Sequence, residues 1–170
     1  PAQRGPRLSV PSVSTLRLEK ELARGGARLV AGVDEVGRGS LFGPVVAAAV
    51  VLPAEWLVRR PPAWAKGIDD SKLLTPSRRA ALAAALLREA SAVGVGLASA
   101  TEIDALNIHR AAQLAMVRAA ESLPDPPDIL LVDGFAIKEV KYRQMGIPRG
   151  DRKSRSIAAA SIVAKVFRDG

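Results

Sequence analysis

A single α/β domain is what this sequence predicts. Apolar runs of strand length alternate with helix-length patterns, 170 residues suit one domain with a sizeable core, and 48% hydrophobic content excludes a disordered chain. No internal repeat is visible, and the only low-complexity character is that of alanine-rich helices.

Residues 1–13 hold Pro, Gly, Arg and Ser without periodicity and read as a tail. "STLRLEKELARGG" reads as a short helix, capped by Ser14 or Thr15 and ended by Gly25-Gly26. "RLVAGVDEV" reads as a strand. "FGPVVAAAVVLP" reads as a second, fed by Gly43-Pro44 and stopped by Pro53, and the short gap makes the two antiparallel neighbours. Residues 54–70 are irregular, with "RRPPAW" a solvated basic loop. "TPSRRAALAAALLREASA" is a helix with Thr75 as cap, Pro76 at its first position, and Leu82 and Leu86 on one face. "VGVGLAS" is a strand whose Gly94 and Gly96 serve packing rather than phosphate binding. A helix opening at "TEIDALN" carries a capping-box pattern, Thr101 to Asp104. A longer one follows, with Ile108, Ala112, Ala115, Ala119 and Leu123 at helical spacing. After the rigid "PDPPD", "ILLVDG" is too apolar to alternate, which predicts a strand inside the sheet. A basic stretch, 138–155, leads into the small-residue helix "SIAAASIVAKVFRD".

Composition narrows the function. Lys and Arg number 25 against 17 Asp and Glu, a net charge of +8 that favours a polyanionic partner, nucleic acid before an anionic membrane. Cysteine is absent, so disulfides and thiolate metal sites are excluded. No apolar run approaches the ~20 residues of a membrane span, and no signal peptide is visible. The expectation is a cytoplasmic, monomeric protein with no membrane partner.

Acids end two of the apolar strands: Asp34 and Glu35 in "GVDEV", and Asp133 in "LLVDG", with Asp151 after the turn "PRGD". Successive strand residues face opposite ways, so Asp34 and Glu35 share a site only where the backbone turns at Gly37. Clustered carboxylates repel unless protonated or bridged by a cation. Hard oxygen donors without Cys or a His cluster suit Mg²⁺ or Mn²⁺. Two such ions about 4 Å apart activate water and stabilise the leaving oxygen of a phosphodiester, with no histidine base needed. The lone histidine, His109, reads as a surface residue. "GVDEVGRGS" approaches a phosphate-cradling P-loop but fails: Arg38 stands where Lys belongs, Gly39 is inserted before Ser40, and two acids would face the phosphates. Gly37-Arg38-Gly39 instead offers close backbone approach and a cation, suited to sensing a 2′-hydroxyl. Lys72 reads as a solvated turn lysine. Lys138, Lys141, Arg143, Arg149, Arg152, Lys153 and Arg155 read as a phosphate track. Aromatics at 4% argue against base stacking as the main binding mode.

"GVDEVGRGSLFGPVVAAAVVL", "DDSKLLT", "NIHRAAQLAM", "LLVDG" and "GDRKSRSIAAASIVAKVFRD" occur in the order found in bacterial ribonuclease HII. The chain closely resembles that family from about residue 28 to 169. The resemblance implies a ribonuclease H-like fold with a central mixed five-stranded sheet flanked by helices. Residues 1–27 would be a tail and short helix, and 28–170 the catalytic domain. It implies a metal-dependent endonuclease, with Mg²⁺ or Mn²⁺ and two ions during catalysis. Its substrates would be RNA·DNA hybrids and duplex DNA with a single ribonucleotide, cut on the 5′ side to leave 3′-hydroxyl and 5′-phosphate ends. The family's ligand acids fall on Asp34, Glu35, Asp133 and Asp151, and its ribose-sensing segment on Gly37, Arg38 and Gly39. Lys72, Asn107, Lys153 and Ser154 match positions of substrate contact. The family continues past "AKVFRD" into a helical segment bearing a tyrosine, whereas this sequence stops at Gly170. Activity and ribose selectivity are therefore expected to suffer, and Tyr142 belongs to another motif. Two other readings stay open: a non-catalytic nucleic-acid-binding module, and a metal-dependent phosphotransferase acting on a small substrate.

Overall fold

The computed structural model describes residues 13–40 and 42–170. The expected tail, 1–13, lies almost wholly outside them. Among the described residues five α-helices, α1 (Arg17–Arg24), α2 (Pro76–Glu89), α3 (Ala100–Leu106), α4 (Ile108–Glu121) and α5 (Arg155–Asp169), surround five strands. These are β1 (Val30–Val36), β2 (Val45–Val51), β3 (Ala92–Ala98), β4 (Ile129–Asp133) and β5 (Gln144–Ile147). The mixed sheet runs β3-β2-β1-β4-β5. β1 pairs antiparallel with β2 and parallel with β4, so the acid-bearing strand is central, and β4 is interior as its unbroken apolar run predicts.

The sheet is covered on both faces. Val46, Ala48 and Val50 of β2 meet α5 and α2 through Ala159, Ile162, Val163, Leu82 and Leu86. Val45, Ala47 and Ala49 meet α4 through Ala111, Ala112, Ala115 and Ala119. Small residues bring these layers very close. A Cβ on Gly32 of β1 would lie 2.1 Å from the α5 backbone, and one on Gly96 of β3 would lie 2.1 Å from the Ala115 carbonyl. Gly94 and Gly96 therefore serve packing, as expected. An added methyl at such contacts forces backbone shifts costing roughly 1–3 kcal/mol or more.

Three local expectations change. The capping box is Ser99 with Glu102, one register earlier than Thr101–Asp104, with both reciprocal bonds made. At α1 the N-cap position falls on Leu16, without a side-chain cap; Ser14 instead donates its hydroxyl to the Ile68 carbonyl at 2.8 Å. The basic stretch is interrupted by β5, which pairs parallel with β4. Thr75 does cap α2, accepting from the Arg78 amide, with Pro76 at its first turn. Among the described residues no helix is long and apolar enough to cross a membrane.

Candidate metal centre and nucleic-acid interface

β1 and β4 run parallel with Val33 opposite Val132. The next residue on each strand, Asp34 and Asp133, ends the pair side by side at the carboxyl edge of the sheet, where open α/β sheets place their ligands. Glu35 follows on the opposite face of β1. Asp151 arrives from a short 3₁₀ turn, Gly150–Arg152, entered through Arg149 at a left-handed φ of 54°. That turn is fastened to β4: the amides of Gly150 and Asp151 donate to Asp133 Oδ1 at 2.7 and 3.3 Å.

Asp34, Glu35, Asp133 and Asp151 line one cavity of about 470 Å³, together with Gly37, Arg38, Gly39 and Lys72. So the structure gathers all four expected acids, the Gly-Arg-Gly segment and the lysine of "DDSK". Lys72 is aimed by its turn. Asp70 accepts its amide at 3.0 Å, and the largely buried Arg79 donates to the Ser71 carbonyl at 3.1 and 2.9 Å and to the Leu74 carbonyl at 2.9 Å. Asp70 also pairs with Arg152 at 3.4 Å.

The site includes side chains the sequence reading left out. Ser161, Lys165 and Arg168 of α5 line the same cavity. Their spacing, i, i+4 and i+7, is one helical stripe, and it was the available signal. Ser161 shares a hydrogen bond with Ser71 at 2.8 Å, tying the lysine turn to α5.

Electrostatics marks the cavity as short of positive charge at its acidic wall. Burial, then repulsion from Asp133 and Glu35, pushes the Asp34 carboxyl well above its ordinary range, against weaker help from the Ser161 hydroxyl and the Glu35 amide. Burial also raises Glu35; the Arg38 guanidinium, 3.2 Å away, opposes this and Asp133 adds to it. Asp151 is raised by burial and by Asp133 and Asp70, with Lys72 and Arg152 opposing. Among the described residues no three Asp, Glu, His or Cys side chains already form a ligating group. The donor set nonetheless fits a hard divalent cation: four carboxylates lining one cavity, three of them driven toward protonation by confinement and like charge.

The remaining expected contacts divide. Arg38 reaches His109, Nη2 to Nδ1 at 2.7 Å, so the surface histidine has a partner at the site's edge. Lys153 and Asn107 are exposed but outside the cavity lining. Asn107, at φ 78°, caps α4 by accepting from the Arg110 amide. Ser154 is fully buried: it caps α5 and donates its hydroxyl to Glu19 at 2.6 Å, so it has no face to offer a substrate. The basic track also divides. Lys138, Lys141, Arg143 and Arg149 are exposed, whereas Arg155 is half-buried and donates to the Ser14 carbonyl at 2.9 Å.

The protein-family model described as Ribonuclease HII matches residues 31–170. A ribonuclease HII of Geobacillus kaustophilus is 49% identical over 154 residues, covering 91% of this chain and 56% of that protein. The chain thus spans little more than half the length of that relative. Ribonuclease H2 from Pyrococcus horikoshii OT3 superposes with a TM-score of 0.71 at 31% identity, over 84% of this chain and 72% of that one. Bst-RNase HIII in complex with Mn²⁺ gives 0.69 at 23% identity, over 84% and 52% respectively, a likeness of fold.

Proposed function

The chain belongs to the ribonuclease HII family, and from that premise we propose that it carries the catalytic centre of a divalent-metal-dependent endonuclease. Its substrates are the RNA strand of RNA·DNA hybrids and single ribonucleotides embedded in duplex DNA, cut on the 5′ side. The observation that carries this reading is the convergence of Asp34, Glu35, Asp133 and Asp151 on one cavity that also holds Gly37-Arg38-Gly39 and Lys72.

Hydrolysis here breaks the bond between phosphorus and the 3′-oxygen of the preceding nucleotide. Water's oxygen joins phosphorus, and the leaving oxygen takes a proton, giving 3′-hydroxyl and 5′-phosphate ends. Asp34, Glu35, Asp133 and Asp151 would hold Mg²⁺ or Mn²⁺, two ions in all, which supply Lewis acidity and a more acidic water. Lys72, Lys165 and Arg168 place cations around the phosphate and offset its developing charge. Gly37 and Gly39 let backbone groups approach the ribose, and Arg38 is held ready by Glu35 and His109. Exposed Lys141, Arg143 and Arg149 carry the flanking phosphates.

The test is cleavage of an end-labelled DNA duplex bearing one ribonucleotide, with Mg²⁺ or Mn²⁺ and with EDTA. Metal-dependent cutting on the 5′ side of the ribonucleotide is expected. Binding without cleavage at any metal concentration would leave a non-catalytic binding module in its place.

A further inference from the structure

Beside the carboxylate cavity lies a larger groove of about 660 Å³. One wall is the outer face of α3 and α4, with Leu106, Arg110, Leu114 and Val117. The other is the loop between β4 and β5, with Phe135 and Lys138. The two hollows meet at a hydrogen-bonded pair, Arg38 lining the cavity and His109 lining the groove.

Phe135 stands only two residues beyond Asp133 and is 88% exposed. The chain has three phenylalanines, and none is in the core: Phe42 is 89% exposed and Phe167 49%. An aromatic ring is among the largest apolar surfaces a chain can bury, so a ring left in water beside a cavity calls for a contact. Nor is the loop loose. Ile137 is buried, its amide donates to Gln144 Oε1 at 2.6 Å, and its carbonyl accepts from Gln144 Nε2 at 2.7 Å. The Lys138 amide donates to Gln113 Oε1 of α4 at 2.8 Å, bracing one wall against the other. Phe135 is thus presented on a fixed mount.

We infer that this groove seats nucleotides of the substrate that flank the reacting phosphate, with sugar and base edges against Phe135 and the apolar floor and phosphates on Arg110 and Lys138. Two features select nucleic acid as the occupant. The groove is continuous with the catalytic cavity through Arg38 and His109. Its rim sets two cations, Arg110 and Lys138, against one acid, Glu139, around an aromatic face. Cation plus aromatic is the pairing that tracks a nucleotide strand without reading its sequence. The inference rests on the nuclease reading and extends it from the cleaved bond to the flank.

The experiment measures affinity by fluorescence anisotropy in EDTA, for ribonucleotide-containing duplexes trimmed stepwise from one end or the other. Phe135→Ala is expected to weaken binding of the long duplex about tenfold. That deficit should vanish once one particular flank is trimmed, with the melting temperature unchanged and the saturated cleavage rate within about twofold of wild type. Arg110→Ala combined with Lys138→Ala should reproduce the flank dependence and flatten the salt dependence. Wild-type affinity in both variants, or a deficit equal at every flank length, overturns the proposal; a protein occupant would give the first result. If wild-type protein cuts the duplex while the variants bind like it, the groove alone is wrong. Flank-dependent binding through Phe135 without any cleavage would instead remove the nuclease reading and keep the groove.

Discussion

Glu19 and Asp34 are both buried carboxylates packed against α5, Glu19 at its first turn and Asp34 about two turns further along. Glu19 Oε1 accepts from the Ser154 hydroxyl at 2.6 Å, the Ser156 amide at 3.0 Å and the Ser156 hydroxyl at 2.7 Å. It also sits at a helix N-terminus, with the Arg155 guanidinium near enough to feel its charge. Asp34 has the Glu35 amide at 2.8 Å and the Ser161 hydroxyl, but its charged neighbours are other acids. The same kind of group on the same helix is thus held by three donors through one oxygen in one place and crowded by like charge in the other. Glu19 locks α1 to the domain. Asp34 has affinity to spare for a cation.

Asp34→Asn should break the second half of that contrast with the largest effect. Cleavage is expected to fall on the order of 10³-fold, the several kcal/mol of transition-state stabilisation that a metal centre supplies. In EDTA the same variant should melt at or above the wild-type temperature, because a repelling charge has gone. Wild-type turnover in saturating Mg²⁺ by a folded variant would remove Asp34 from the metal centre. Glu19→Ala should do the reverse. It removes the shared acceptor of two buried hydroxyls and the Ser156 amide, a loss of roughly 3–5 kcal/mol, which lowers the melting temperature by about 10 °C in a domain of this size. Cleavage per folded molecule should stay near wild type. Melting within about 2 °C of wild type would mean the network contributes little.

This contrast also explains what the sequence made legible. Asp34, Glu35 and Asp133 end apolar runs, where a carboxylate is conspicuous, and Asp151 stood out by the turn that precedes it; the resemblance to ribonuclease HII then grouped the four. Glu19 is one of several charges on a short helix; nothing local reveals that α5 will cover it. Ser161, Lys165 and Arg168 were hidden by an alanine-rich helix in which polar residues pass for a solvated face. β5 was missed because it is an edge strand of four residues, Gln144–Ile147, with only Ile147 buried, set in a basic stretch. Ser154 was offered as a substrate contact because it matches a family motif position, but its buried hydroxyl caps a helix. The capping box slipped because "SATEID" offers two overlapping Ser/Thr-to-acid spacings, and the earlier one, Ser99 to Glu102, is used.

Gly37 and Gly39 give a sharper test, with a smaller effect. Gly37 adopts φ +106°, and a Cβ there would sit 2.7 Å from the Pro44 carbonyl oxygen and 3.2 Å from Arg168 Nε. A Cβ on Gly39 meets no atom of the described residues within 4 Å, its chain neighbours aside. Gly37→Ala is therefore expected to cost about 1–3 kcal/mol of stability through strain and crowding. Gly39→Ala should melt like wild type, so any lost activity reports the approach of the sugar. Its cleavage of a single-ribonucleotide duplex should fall about tenfold, more than in Arg38→Ala, at the scale of one lost polar contact. Comparison with 2′-deoxy and 2′-O-methyl duplexes then reads ribose preference directly. Full activity and unchanged preference in Gly39→Ala would make this segment a turn and nothing more.

The smallest effect expected is a pH dependence of the metal-free protein, and its sign reports on Asp34. The folded Asp34 carboxyl titrates above its ordinary value of 3.8. Between that value and its raised one, the folded state holds a proton that the unfolded chain has released. Stability must therefore fall as pH rises through this window, with a slope limited to about 1.4 kcal/mol per pH unit for one proton. Other carboxylates pull the opposite way. Glu102, held down to about 2 by the Arg118 guanidinium and the Ser99 amide, and Asp128, lowered by the Leu29 and Arg28 amides, are groups whose stabilisation is lost as pH falls. The clean quantity is thus the difference between wild type and Asp34→Asn, measured by urea unfolding in EDTA from pH 4 to 8. The variant's advantage should grow with pH across that range and flatten once the wild-type carboxyl has ionised. Added Mg²⁺ should shrink or reverse the gap at neutral pH, because only the wild type gains from the bound cation. A gap constant with pH would mean that Asp34 is not held protonated by its surroundings, and that its burial says nothing about a metal.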